Sequence, residues 1–143
     1  MSSFEQKIAS GLGSLIVKLN RRIKQSLKYQ FPPIINLTQL RILMIVKKNE
    51  ASTANEIAEI FDITPASMAT NVKYLTQNGL LNRAIDINDK RNQNLLLTKL
   101  GQVKLKETGV LIFKNILDTM HDKRVEEKEK LLSAIDILIK FIN

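Results

Sequence analysis

The chain has no cysteine, one histidine, three prolines and five glycines in 143 residues. Without cysteine there is no disulfide scaffold, no thiolate zinc site and no cysteine redox sensor. The lone histidine, His121, falls near a helix end and has no partner imidazole, so neither a zinc-sensing role nor a histidine-based catalytic set is expected. No nucleophile–base–acid set and no phosphate-cradling glycine loop is found, and an enzyme is not expected. No apolar run approaches the roughly 18 residues that a membrane span requires. The opening residues MSSFEQKIASGLG lack a basic region followed by an apolar stretch, so no secretory signal is expected and cytoplasm is the expected compartment. Internal repeats and low-complexity tracts are absent too.

What is present is an ordinary globular balance, 44% hydrophobic and 25% charged, with a net charge of +8. Such a charge favours polyanionic partners. Its distribution is uneven: residues 1–36 hold six basic and one acidic residue, 37–98 hold seven and six, and 99–143 hold nine and seven. The central segment is not the most basic.

Hydrophobic periodicity places the elements. A first long helix is expected over about residues 4–29, with Ile8, Leu12, Leu15, Ile16, Leu19, Ile23 and Leu27 on one stripe. Phe31-Pro32-Pro33 stops it. A second helix is expected over about 37–48, capped by Thr38, with Leu40, Leu43 and Met44 inward. Thr53-Ala54-Asn55-Glu56 is a capping box for a third helix carrying Ile57, Ala58, Ile60 and Phe61 and ending near Asp62. Thr64-Pro65 opens a fourth, with Met68, Val72 and Leu75 on one face and Gly79 ending it in the left-handed conformation. The period then changes. Residues 80–85 and 92–97 read as two strands around the polar turn Asp86-Ile87-Asn88-Asp89-Lys90-Arg91. Thr98 caps a long helix to about Met120, with Leu100, Val103, Val110, Phe113, Leu117 and Met120 expected inward and Gly101 and Gly109 expected to weaken it. A last helix over about 125–142 carries Leu131, Leu132, Ile135, Leu138, Ile139 and Ile142, with Glu126 and Glu127 in its first turn.

The fold class is therefore mainly α with a small β-hairpin. Residues 37–98 form a winged helix-turn-helix unit, flanked by a helical region of residues 1–36 and 99–143. With Met68, Val72 and Leu75 facing the core, the opposite side of the fourth helix presents Ala66, Thr70, Lys73, Tyr74 and Gln77, with Ser67 and Asn71 at its edge. Small and polar side chains let a helix sit in a major groove and bond base edges or phosphates. A merely solvated helix face has the same composition. At the hairpin tip, Arg91 with Lys90 beside it suits a narrow minor groove. Asp89 there would orient Arg91 or Arg83, unless the turn is simply solvated with a weak surface ion pair.

In order and spacing, Thr64-Pro65-Ala66-Ser67-Met68, Gly79-Leu80-Leu81-Asn82-Arg83, Asp89-Lys90-Arg91 and Leu97-Thr98-Lys99-Leu100-Gly101 resemble the MarR family of bacterial and archaeal regulators. The long flanking helices extend that resemblance over nearly the whole chain. It implies dimers held by the first and last helices, binding to pseudopalindromic double-stranded DNA, usually as repressors, and release by a small phenolic or other ligand lying between the dimerisation helices and the winged domain. By matching position, Ser67, Thr70 and Asn71 would face the groove and Arg91 would be the wing arginine. The chain departs from the pattern in two places: the fourth helix has no arginine, and Lys99-Leu100 stands where an acidic residue is usual. No shared ligand motif identifies effector-binding residues. No cofactor and no membrane partner is expected.

The homodimer also has a basis in the residues, the alternative being a monomer in which the first and last helices pack on each other. The apolar stripes of the first and last helices exceed what one winged core covers, and a second copy would bury them. Recognition helices in such a dimer should lie about 34 Å apart, one turn of DNA. The competing reading is a winged-helix interaction protein whose Arg21, Arg22, Lys24 and Lys28 meet a protein partner or an anionic membrane.

Overall fold

The computed structural model describes residues 2–85 and 93–142. It contains α1 (Ser3–Ser26), a 3-10 turn (Leu27–Tyr29), α2 (Leu37–Lys48), α3 (Ala54–Phe61), α4 (Pro65–Gln77), the strands β1 (Leu81–Ile85) and β2 (Gln93–Leu97), α5 (Lys99–Asp118) and α6 (Val125–Ile142). This is the mainly α architecture with one antiparallel hairpin that the periodicity predicts.

Local chemistry sets most boundaries. Thr53 and Glu56 form the expected capping box. The Thr53 and Ser52 N–H groups bonded to Glu56 hold its carboxyl below the usual carboxylate range. Thr64 caps α4 with Pro65 in its first turn, and Gly79 takes φ +70° after the last turn. At α2 the cap is Asn36, not Thr38. The Asn36 side chain accepts from Gln39 N at 2.9 Å while Gln39 Oε1 accepts from Asn36 N at 2.9 Å. The Asn36 and Gln39 side chains each satisfy one orphan N–H group of the other residue, so the helix starts at Leu37 and leaves Thr38 inside its first turn.

One core unites α2, α3, α4 and the hairpin. Ile42, Leu43, Ile57, Met68, Val72, Leu75 and Leu80 are fully buried, and Leu81 and Leu95 root the wing in the same cluster. The strands pair with Leu81 opposite Leu97 and Arg83 opposite Leu95. Leu95 N also donates to Ser52 O at 2.7 Å, which stitches the wing to the break before α3.

The long helix α5 packs differently from expectation. Leu100, Val103, Val110, Phe113 and Leu117 are half or more exposed, while Gly101, Lys104 and Thr108 are buried. The seam between α5 and the end of α1 is polar. Asn115 Nδ2 donates to Ser26 Oγ at 2.8 Å, Thr108 Oγ1 to Gln30 Oε1 at 3.5 Å, and the Lys104 ammonium to Phe31 O. Gln30 Nε2 in turn holds Leu27 O (2.8 Å) and Ile35 O (2.7 Å). Gly101, Lys104 and Thr108 therefore meet the chain, with Leu105 and Ile112 beside them, and Leu100, Val103, Val110, Phe113 and Leu117 are left outward.

The terminal helices carry more uncovered apolar surface. No residue of α6 is buried, and Phe4, Ile8, Leu15, Ile16 and Leu19 of α1 are exposed within one chain. Among the described residues no helix is long and apolar enough to cross a membrane.

Candidate nucleic-acid interface

Helix α4 is held from behind and at its start. Met68, Val72 and Leu75 have no exposed surface, which anchors one face of α4 in the core. Thr64 Oγ1 accepts from Ser67 N at 3.2 Å at the helix start. The preceding joint is tight: Asp62 adopts the left-handed conformation at φ 52°, and the Arg41 guanidinium of α2 lies 4.3 Å from the ring centre of Phe61 at the end of α3.

On the outer face, Ala66, Ser67, Thr70, Lys73 and Gln77 are exposed and Asn71 is half-buried. Thr70 Oγ1 donates to Ala66 O (3.1 Å) and Asn71 Nδ2 to Ser67 O (3.0 Å). Each side chain thus gives one donor to the helix backbone and keeps its acceptor capacity. The face is short, polar and carries one cation, the chemistry that close approach to a duplex groove needs.

Tyr74 differs from the others. It is half-buried against the core, and its hydroxyl donates to Ile34 O at 2.6 Å, so its polar end is engaged by the linker before α2. Helical spacing alone groups Tyr74 with the outward residues, since it follows Lys73, and cannot show the bond to Ile34. Lys24 and Lys28 line the same shallow groove as Tyr74, which brings a basic residue of α1 and one of the following 3-10 turn to the flank of α4.

The hairpin base is tied to the helices on either side. Thr98 Oγ1 donates to Gly79 O at 2.6 Å and accepts from Gly101 N at 2.9 Å, joining the exit of α4 to the start of α5. Arg83 is exposed on β1, and its Nη1 donates to Gln93 Oε1 at 3.0 Å across the wing. The tip residues Asp89, Lys90 and Arg91, and with them the expected Asp89 pairing, lie outside the described residues.

A second feature lies where α1, α2 and α5 meet. A groove of about 620 Å³ is walled by Ile23, Leu37, Leu40, Met44, Leu105 and Ile112. Arg41, Lys47 and Lys48 also line it, and no carboxylate does among the described residues. Periodicity places Ile23, Leu40 and Met44 on apolar stripes but does not bring them together, because the groove takes its residues from three helices far apart in the chain. No cluster of three or more His, Cys, Asp or Glu suited to a metal ion occurs among the described residues.

Residues 35–92, the winged unit without its last strand, match the model of the MarR family. The HTH-type transcriptional repressor MdtR of Bacillus subtilis (strain 168) is 27% identical over 127 residues, covering 89% of this chain and 79% of its own. A MarR family protein from Bacillus stearothermophilus superposes with a TM-score of 0.83 at 16% identity, over 99% of this chain and 98% of that one. A Staphylococcus aureus MepR variant bound to an oligodeoxyribonucleotide superposes over both whole chains, with a TM-score of 0.60 at 20% identity. The MarR family model thus falls on the winged unit, and the whole chain has the fold of these solved structures.

Proposed function

We propose that this chain is a winged helix-turn-helix transcriptional regulator of the MarR family, a cytoplasmic repressor that binds pseudopalindromic duplex DNA as a homodimer and leaves it when a small molecule occupies the groove between α1, α2 and α5. The observation that carries the reading is the division of α4: Met68, Val72 and Leu75 are locked in the core, and a short polar face of Ala66, Ser67, Thr70, Asn71, Lys73 and Gln77 is turned outward. In this reading residues 37–98 are the reading head. Residues 1–36 and 99–143 are the dimerisation region, whose exposed faces on α1, α5 and α6 are the surfaces that two copies bury together. Lys90 and Arg91 of the wing, with Asp89 orienting an arginine, reach the adjacent minor groove.

Two relatives support it. One is named a repressor, and one was captured on an oligodeoxyribonucleotide. The basic residues Lys24 and Lys28 beside Tyr74 add charge near a reading helix that has no arginine of its own.

The deciding experiment is fluorescence anisotropy of a labelled AT-rich duplex across a salt series, with wild type and Arg91→Ala. Affinity should fall with salt on a slope of about −0.9 per phosphate neutralised, and the wing variant should bind more weakly. A wild type that shows no salt-dependent binding at low salt defeats the DNA reading, and binding to anionic vesicles in its place would establish the interaction-protein alternative.

A further inference from the structure

We infer that Arg41 is the residue through which an anion held in the α1–α2–α5 groove is felt by the helix-turn-helix, by exchanging its contact with Phe61 for a pair with that anion. The inference rests on reading the groove as the effector site, and adds to it a ligand charge, a responding residue and a route.

The geometry gives Arg41 two neighbourhoods at once. It lines the groove, and its guanidinium lies 4.3 Å from the centre of the Phe61 ring. Phe61 is the last residue of α3 and stands immediately before Asp62 in its left-handed turn. Two residues later Thr64 caps α4. The chain from Arg41 to the start of the reading helix is therefore one side-chain contact followed by three residues of tight turn.

The charges specify the occupant. The wall of the groove is apolar, and its described charged residues are Arg41, Lys47 and Lys48. Lys48 already has Glu50 at 3.5 Å, and Lys47 lies in the last turn of α2, facing the negative end of that helix dipole. Arg41 has no carboxylate within ion-pair distance among the described residues, and its facing group is a ring. A planar guanidinium pairs bidentately with a carboxylate or sulfonate, a stronger and more directional contact than an exposed cation–π contact. The fitting ligand is an organic monoanion with an apolar body: the body fills the wall of Ile23, Leu40, Met44 and Ile112, and the anion draws Arg41 off Phe61. The uncovered ring, half-buried at the joint, then repacks, and the cap of α4 shifts with it. Linkage makes the effect reciprocal, so DNA weakens the ligand by the factor by which the ligand weakens DNA.

The test uses the full chain and 8-anilinonaphthalene-1-sulfonate, an apolar monoanion whose fluorescence rises on leaving water. Its affinity is measured by fluorescence, and duplex affinity by anisotropy with and without it. In wild type, saturating probe should weaken duplex binding by about fivefold or more, the lower range of ordinary allosteric coupling. Met44→Glu, which puts a carboxylate in the groove wall, should reduce probe binding about tenfold. Phe61→Leu keeps the groove and Arg41 but removes the ring face. It should bind probe as wild type does, while the coupling falls to about one. Phe61→Tyr restores a ring and should restore the coupling, which a merely structural role for position 61 would not require. Circular dichroism checks folding, and if Phe61→Leu does not fold, Arg41→Met carries the same expectation of lost coupling. Coupling that survives in Phe61→Leu or Arg41→Met overturns the role of Arg41 and leaves the effector groove standing. Probe binding unaffected by Met44→Glu, or a probe that binds without weakening DNA, overturns the groove reading and this inference together.

Discussion

A Cβ placed on Gly101 would stand 2.1 Å from the Leu80 carbonyl oxygen and 2.8 Å from a methyl group of Leu97. The first turn of α5 thus presses directly on the backbone that leaves α4, with Thr98 bonding both sides of the contact. Gly101→Ala must push backbone against backbone, and the expected loss is about 1–3 kcal/mol, as for other overpacked sites. Gly109, eight residues along the same helix, has nothing within 4 Å of a built Cβ. There Gly109→Ala should gain about 0.5–1 kcal/mol from helix propensity. Urea midpoints of the two variants decide this. Equal shifts would show that the Leu80 contact is not what requires glycine.

Tyr74 fastens the reading helix to the linker through Ile34 O. Tyr74→Phe should cost about 0.5–1.5 kcal/mol of stability, the net worth of one neutral hydrogen bond. The salt slope of duplex binding should stay unchanged, because no phosphate contact is removed. A shallower slope with unchanged stability would return Tyr74 to the group of direct DNA contacts.

Burial lowers the pKa of Lys104 from its ordinary 10.5, with Glu107 acting in the opposite direction. The folded chain therefore binds fewer protons here than the unfolded chain between the lowered value and 10.5, and over that window this site stabilises the fold as pH rises. Below the window the cost of the buried ammonium is fully present. Lys104→Met removes the titration, so the stability of wild type relative to this variant should climb through the alkaline range. Denaturation at stepped pH measures it. A difference that stays flat, or falls as pH rises, contradicts the assigned direction.

Ile135 sits on the exposed apolar face of α6. If two copies bury that face, Ile135→Glu places an unpaired charge in the interface and should raise the dimer dissociation constant by a factor of ten or more, corresponding to about 1.4 kcal/mol or above. Light scattering over a dilution series reads the mass directly, and duplex affinity should fall with it. A variant that remains at twice the chain mass at every concentration would move the interface off α6.

Much of this protein is written in short-range chemistry. The Thr53–Glu56 box, Thr64-Pro65, the left-handed Gly79 and the Thr98 cap each act within a turn or so, and the spacing of Met68, Val72 and Leu75 states which face of α4 is apolar. From those pieces the order of helices and hairpin follows, and with it the outward polar face of the reading helix. Which face of a helix meets the rest of the chain is another matter. Periodicity groups Leu100, Val103, Val110 and Leu117 on one side of α5, yet the side that packs on the protomer is Gly101, Lys104 and Thr108, because it meets backbone at Leu80 and carbonyl groups near Phe31. The same holds for Tyr74 with Ile34 and Arg41 with Phe61, whose partners lie 40 and 20 positions away. Local sequence determined the elements, since capping and periodicity act within a few residues. The tertiary fold alone decided which side chains lock the reading helix and which line the groove, since those contacts exist only once distant segments share one core.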